Sequence, residues 1–194
     1  MELTPEVLVS AYMQGIFPMA YDDGRIHWFS PNPRAILPLD GLRVAQSLRR
    51  IIHHGPFEVR FNTAFDQVIA ACAAPAPGRE DTWISAEVAA AYNRLHRLGL
   101  AHSVESWVGE ELVGGLYGVA IRGFFAGESM FSRRRDASKV ALYYLVQRLR
   151  ARDFRLLDVQ YTTPHLVRLG AVEVSRRTYL TLLRQALAVE VSFA

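Results

Sequence analysis

Two hydrophobic periods alternate along this chain. Up to residue 99 apolar side chains recur mainly at helical spacing; from residue 101 they run as strands; beyond residue 137 the two periods take turns. The first helix is bracketed by Thr4 as N-cap, Pro5 at the first helical position and Gly15 past the end, with Leu8, Ala11 and Tyr12 on one face. Residues 16–36 hold Pro18, Pro31 and Pro33 around Trp28 and Phe29, and read as a loop-rich connection or a short strand pair. Val44, Leu48, Ile51 and Ile52 restore the helical period until Gly55-Pro56, whereas Phe57, Val59 and Phe61 alternate as in a half-buried strand. A helix with Phe65, Val68, Ile69 and Cys72 leads into the loop Ala74-Pro75-Ala76-Pro77-Gly78. Ser85 then caps a helix whose Val88, Ala91, Tyr92, Leu95 and Leu98 form one stripe, ended by Gly99.

In the second half, His102–Val108, Leu112–Ile121 and Gly123–Phe131 predict an antiparallel meander. Leu142, Leu145, Val146 and Leu149 place a helix after it. The strand Arg155–Gln160, a helix-like segment at His165–Leu169, the strand Val172–Val174 and a helix at Tyr179–Leu187 complete the chain. This order predicts an α+β fold with a mostly antiparallel sheet flanked by helices. Residues 1–36 read as a small N-terminal domain and residues 37–194 as the main one.

Composition narrows the function classes. With 194 residues and 51% hydrophobic content the chain can bury a sizeable core. No apolar run approaches the ~18 residues of a membrane span, and Met1-Glu2-Leu3-Thr4-Pro5 lacks the basic start of a signal peptide, so a cytoplasmic location is expected. The single cysteine, Cys72, forms no internal disulfide and reads as core filler. Six histidines without ligand spacing and no cysteine pair argue against zinc. A net charge of +3 is too mild to identify a nucleic-acid binder, so the distribution of charge matters more.

Three groups of residues carry candidate chemistry. In Gly127-Glu128-Ser129-Met130-Phe131-Ser132 one carboxylate stands at the mouth of the apolar run Gly123-Phe124-Phe125-Ala126, where an anion needs a cationic partner. That partner is either a ligand or one of Arg133, Arg134 and Arg135. Ser129 lacks the second glycine of a nucleophile elbow. Asp158 and Gln160 lie two apart on a predicted strand and share a face; a carboxylate there either pairs with an arginine, caps a turn, or serves a reaction. Arg43, Arg49, Arg50, His53 and His54 fall along one predicted helix, with Arg34 upstream, as a phosphate-contacting stripe or a solvated face. Gly114-Gly115-x-x-Gly118 marks a bulge or close backbone approach.

With Leu112-Val113-Gly114-Gly115-Leu116-Tyr117-Gly118 before the Gly127–Ser132 motif and Leu157-Asp158-Val159-Gln160 after it, the chain resembles the leucyl/phenylalanyl-tRNA–protein transferases. Gly15-Ile16-Phe17-Pro18, Trp28-Phe29-Ser30-Pro31-Asn32-Pro33-Arg34-Ala35 and Ser175-Arg176-Arg177-x-Tyr179-Leu180 extend the resemblance over nearly the whole length, although this N-terminus is shorter than the family's. The resemblance implies a GNAT-like acyltransferase fold and transfer of Leu, Phe or Met from aminoacyl-tRNA to proteins beginning with Arg or Lys, marking them for N-end-rule degradation. It implies Asp158 and Gln160 as the catalytic pair and Glu128 at the acceptor-peptide site. Leu116, Phe125, Met130, Leu142, Leu145 and Leu157 are implied as the donor side-chain pocket. Trp83, Met19 and Trp28, with Phe29 nearby, would meet the 3′-terminal adenosine, Met19 standing where some members carry an aromatic residue. Arg43, Arg49 and Arg50 would meet the tRNA backbone. Neither cofactor nor metal is implied, because the ester is already activated and an α-amine of reference pKa about 7.7–8.0 is partly neutral near pH 7. The chain is expected to act as a monomer. On the same fold, a coenzyme-A-dependent acetyltransferase is the main rival, disfavoured because Arg133–Lys139 has no glycine to cradle a pyrophosphate. A leucyltransferase for acidic N-termini is disfavoured by Glu128, and a non-catalytic tRNA-binding protein by the joint presence of Asp158, Gln160 and Glu128.

Overall fold

The computed structural model describes residues 3–21, 25–75 and 82–194; most of the loop expected at residues 74–78 lies outside them. The elements are α1 (Pro5–Met13), β1 (Phe17–Ala20), β2 (Ile26–Phe29), β3 (Arg34–Ile36), α2 (Gln46–His54), β4 (Glu58–Phe61), α3 (Phe65–Ala73) and α4 (Ala86–Arg97). They continue as β5 (Ala101–Val108), β6 (Glu111–Ile121), β7 (Phe124–Ser132), α5 (Ala137–Ala151), β8 (Leu156–Gln160), α6 (Pro164–Arg168), β9 (Val172–Val174) and α7 (Arg176–Leu187).

Local chemistry sets most of these bounds. The Thr4 and Ser85 side chains accept the backbone N–H groups of Val7 and Val88, capping α1 and α4. Ser175 accepts from Thr178 and starts α7 three residues earlier than the hydrophobic stripe alone predicts. Helix α3 has no capping side chain of its own, because Ala64 occupies its N-cap. Instead the buried Glu105 of β5 accepts the N–H groups of Thr63 and Ala64 at 3.0 and 3.1 Å, placing a carboxylate at the positive end of the helix.

β1 and β2 form a separate antiparallel hairpin, while the described residues of the main sheet run in the order β4-β5-β6-β7-β8-β3-β9. Within that sheet β7 and β8 pair in parallel and their neighbours in antiparallel fashion. The chain pattern predicts β3 only as part of an irregular stretch; three residues carry no readable period, and its identity comes from pairing with both β8 and β9. Two hydrophobic clusters cover the two faces. One gathers α1, α3, α4 and α7, with Tyr12, Val68, Tyr92 and Tyr179 fully buried or nearly so. The other gathers α2 and α5, with Val140, Leu145, Leu149 and Phe193. Cys72 is buried in the first cluster, as its apolar helical position predicts. No helix among the described residues is long and apolar enough to cross a membrane.

Candidate active site

The parallel pairing of β7 with β8 ends at Ala126 opposite Asp158, and beyond it the strands carry side chains into a cavity of about 280 Å³. On β7 the site depends on an interruption of pairing. Tyr117 of β6 faces Ser129 and Gly118 faces Gly127, so Glu128 is an extra residue without a partner on β6. A bulge of this kind re-aims the side chain it displaces. Gly118 makes it possible, since a Cβ there would fall on the Ala126 carbonyl oxygen and the Phe125 ring. The sequence offers this glycine a bulge or a close approach, and it serves both. Glu128 thereby joins Gly127, Ser129 and Met130 in lining the cavity.

The Glu128 carboxyl accepts the Tyr92 hydroxyl at 3.2 Å, and the Gln160 Nε2 group lies 3.4 Å from its other oxygen. Tyr92 in turn hydrogen-bonds Tyr12. None of Arg133, Arg134 or Arg135 is its partner. Arg133 lies over the Phe131 ring, Arg134 pairs with Glu111 and Arg135 with Asp136. Burial therefore pushes the Glu128 pKa up to about 8, against the hydroxyls of Tyr12 and Tyr92 and the field of Arg34, and aided by the charge of Asp158. Burial likewise holds the Tyr12 and Tyr92 hydroxyls well above their ordinary range, so both remain protonated donors.

Asp158 is fully buried and does not line the cavity. Its oxygens accept Arg34 Nε at 2.9 Å and Nη2 at 2.6 Å, the Tyr179 hydroxyl at 2.8 Å, and the backbone N–H of Gln160 at 2.9 Å. Pairing with an arginine is one of the alternatives that the sequence allows this carboxylate, and Arg34 is that arginine. Arg34 also donates to the Gly15 carbonyl and lies between the rings of Phe17 and Tyr179, 4.7 and 4.4 Å from their centroids. Asp158 thus reaches Gln160 through the main chain. Gln160 has φ of 58°, in the left-handed region, and its side chain lines the cavity beside Glu128. The two-residue alternation that would put Asp158 and Gln160 on one face stops at this turn.

The remaining predicted residues divide clearly. Leu116, Met130, Leu142, Leu145 and Leu157 line the cavity, and so do Met19 and Trp83. Phe125 does not: it is fully buried in the same cluster, tilted against Phe193 with centroids 5.5 Å apart. Trp28 is also absent from the cavity. It faces Pro18 across the hairpin, one residue out of step with Met19, and so lies on the opposite face in a groove with Val7, Ser10 and Gln14 of the α1 region. Arg43, Arg49 and Arg50 are exposed, but Arg43 precedes α2 rather than belonging to it, its N–H bonding the Leu169 carbonyl. Tyr12, Tyr92 and Tyr179 read in the sequence as ordinary stripe residues, and nothing local marks them as part of the site. The inward role of Arg34 is equally hidden, its one signal being its place in the Asn32-Pro33-Arg34-Ala35 segment. His165 lines the cavity, its pKa lowered by burial and by Lys139 and Arg168.

Comparison with known proteins identifies the family. Residues 36–184 match the family model described as leucyl/phenylalanyl-tRNA protein transferase, and residues 1–32 match that of its N-terminal domain. The chain is similar to the leucyl/phenylalanyl-tRNA–protein transferase of Rhodospirillum rubrum, at 54% identity over 96% of this chain and 89% of that one. It is similar also to that of Rubrobacter xylanophilus, at 53% identity over the full length of both. Among solved structures, L-PGS from Bacillus licheniformis matches at 12% identity and a TM-score of 0.47, over 95% of this chain and 70% of that one. By both family models and these relatives, the chain belongs to the leucyl/phenylalanyl-tRNA–protein transferases, enzymes that carry an aminoacyl group from tRNA to protein.

Proposed function

We propose that this transferase moves leucine, and also phenylalanine or methionine, to the N-terminal amine of proteins that begin with Arg or Lys. The product would enter N-end-rule degradation in the cytoplasm, and the enzyme would act as a monomer. The observation that carries this reading is the junction of Glu128 and Gln160 in a cavity whose apolar walls include Leu116, Met130, Leu142, Leu145 and Leu157. An apolar donor side chain unbranched at Cβ suits those walls, and the flexible Met130 accommodates more than one shape. Met19 and Trp83, lining the same cavity, would take the terminal adenosine. A parallel strand pair that parts at the site, inside an otherwise antiparallel sheet, supports a GNAT-like reading of the fold.

In this reading the acceptor α-nitrogen attacks the ester carbonyl, the new amide bond forms, and the bond to the ribose oxygen breaks, that oxygen leaving with a proton. The protein supplies position and polarity. Because Gln160 commits its Nε2–H to Glu128, its amide oxygen is left to accept the attacking amine and aim its lone pair. Asp158 and Arg34 act as positioning residues that fix the main chain of Gln160. A guanidinium or ammonium arriving beside Glu128 offsets the burial of its carboxylate and draws it to the charged form. Competition between an Arg-initiated and a Met-initiated peptide, with leucyl-tRNA saturating, tests the reading in wild type and Glu128→Gln. The variant should lose roughly tenfold or more of the wild-type preference for Arg, an ion-assisted bond of about 1.5–3 kcal/mol becoming neutral. An unchanged preference would remove Glu128 from side-chain recognition, and activity dependent on acetyl-CoA would overturn the reaction itself.

A further inference from the structure

The face of the β1–β2 hairpin that carries Met19 continues outward as a row of aromatic rings with no role in the reading above. Opposed residues of an antiparallel pair share a face, so Phe17 with Phe29 and Met19 with His27 stand together, away from Trp28. Phe17 and Met19 line the cavity. From there rings continue outward: Phe29 stacks on Phe17 with centroids 6.0 Å apart, and Tyr21 stacks on Phe29 at 6.3 Å and 18°. Tyr21 also lies 5.1 Å from the His27 ring. Tyr21 is 57% exposed and His27 is exposed as well, so the ladder begins in the cavity wall and ends in solvent. The Tyr21 N–H bonds the Arg25 carbonyl, which keeps this end of the hairpin paired.

We propose that Tyr21 and His27, backed by Phe29, form a stacking platform for the nucleotide that precedes the terminal adenosine of the donor tRNA. The inference rests on the reading that Met19 and Trp83 hold that adenosine. Tyr21 lies two residues beyond Met19, about 6.6 Å along an extended strand, within one nucleotide's reach. Single-stranded bases bind aromatic side chains by their π-faces, with little dependence on base identity, which suits an enzyme that takes more than one tRNA. Tyr21 is held nearly parallel to the Phe29 ring behind it, at 18°, with the His27 ring tilted beside it at 52°, so the platform needs little further ordering.

Two minimal donors that differ by one nucleotide test this: the leucyl ester of adenosine and the leucyl ester of cytidylyl-adenosine, each with one Arg-initiated peptide. Wild type should favour the dinucleotide donor in kcat/KM, chiefly through KM. Tyr21→Ala combined with His27→Ala should reduce that preference about tenfold, the size expected for a lost base stack. Tyr21→Phe should keep it, because the face of the ring and not the hydroxyl binds. An equal preference in the double alanine variant, or a wild type indifferent to the added cytidine, overturns the platform while leaving the adenosine site standing. A wild type that uses neither ester nor leucyl-tRNA overturns the donor reading, and the platform with it.

Discussion

Asp158 gives its carboxylate oxygens to Arg34, Tyr179 and the main chain of Gln160, so one buried ion pair fixes the residue that faces the cavity. For Arg34, burial opposes the charge, but the hydrogen bonds and charge of Asp158 outweigh it and hold the guanidinium above its ordinary range. Burial, and then Asp158, raise the Tyr179 hydroxyl, which stays a donor. Removing one partner strands the other in a low-dielectric interior. Arg34→Met should therefore cost about 3–5 kcal/mol in urea unfolding, whereas Arg34→Met with Asp158→Leu should recover most of that stability without recovering transfer. A double variant as unstable as the single would show that the pair holds more than itself. Glu128 makes a separate prediction. Its folded pKa of about 8 lies above the ordinary carboxylate value of about 4.3, so between those values the folded chain holds a proton that the unfolded chain has lost. Stability must then fall as pH rises through that window. Thermal melts of Glu128→Gln, which has no such proton, should gain on wild type from pH 5 to pH 8.5, by at most about 2–4 kcal/mol. Parallel pH profiles would show that Glu128 is not held protonated.

At the scale of elements, the bulge in β7 matters more than the strand itself. Without it Glu128 would pair regularly with β6, and the alternation of strand side chains would send Glu128 and Ser129 to opposite faces; with it, four consecutive residues from Gly127 to Met130 line one cavity. Gly118→Ala should close the space that the bulge occupies, because the added methyl meets a backbone carbonyl as well as the Phe125 ring. A loss of about 1–3 kcal/mol or more is expected, which corresponds to some 2–4 °C in Tm per kcal/mol for a chain of this size. Transfer by the folded variant should fall further than stability explains. A variant as stable and active as wild type would mean that the bulge is not needed. The existence of most elements is readable from the chain because caps and stripes are local: Thr4, Ser85 and Ser175 each bond a backbone N–H three residues on. β3 is not readable, since Arg34–Ile36 is a strand only by virtue of β8 and β9 beside it.

Over the whole molecule, one face of the sheet carries both part of the cavity wall and an exposed basic helix. α5 turns Leu142 and Leu145 toward the cavity, and α2 packs on α5 with Arg49 and Arg50 exposed. A modest net charge of +3 is thus partly concentrated on one exposed helix. Arg49→Ala with Arg50→Ala should weaken binding of leucyl-tRNA and lower the slope of log K against log salt by about 0.7–0.9 for each phosphate that is no longer neutralised. Titrations at several salt concentrations measure this directly, and an unchanged slope would take α2 off the tRNA surface.

What the sequence determined by itself was the kind and order of most elements, β3 excepted, and the motif that identifies the family. These depend on periodicity, capping and residue type, which are properties of neighbours in the chain. Tertiary structure alone decided that Arg34 reaches Asp158 across 124 residues, that Tyr12 and Tyr92 close a hydroxyl chain on Glu128, and that Trp28 turns away from the site that Met19 lines. Each of those depends on a register, a bulge or a buried partner. A side chain's charge and direction are set by what surrounds it in space, and a one-residue change of register reverses the face it presents.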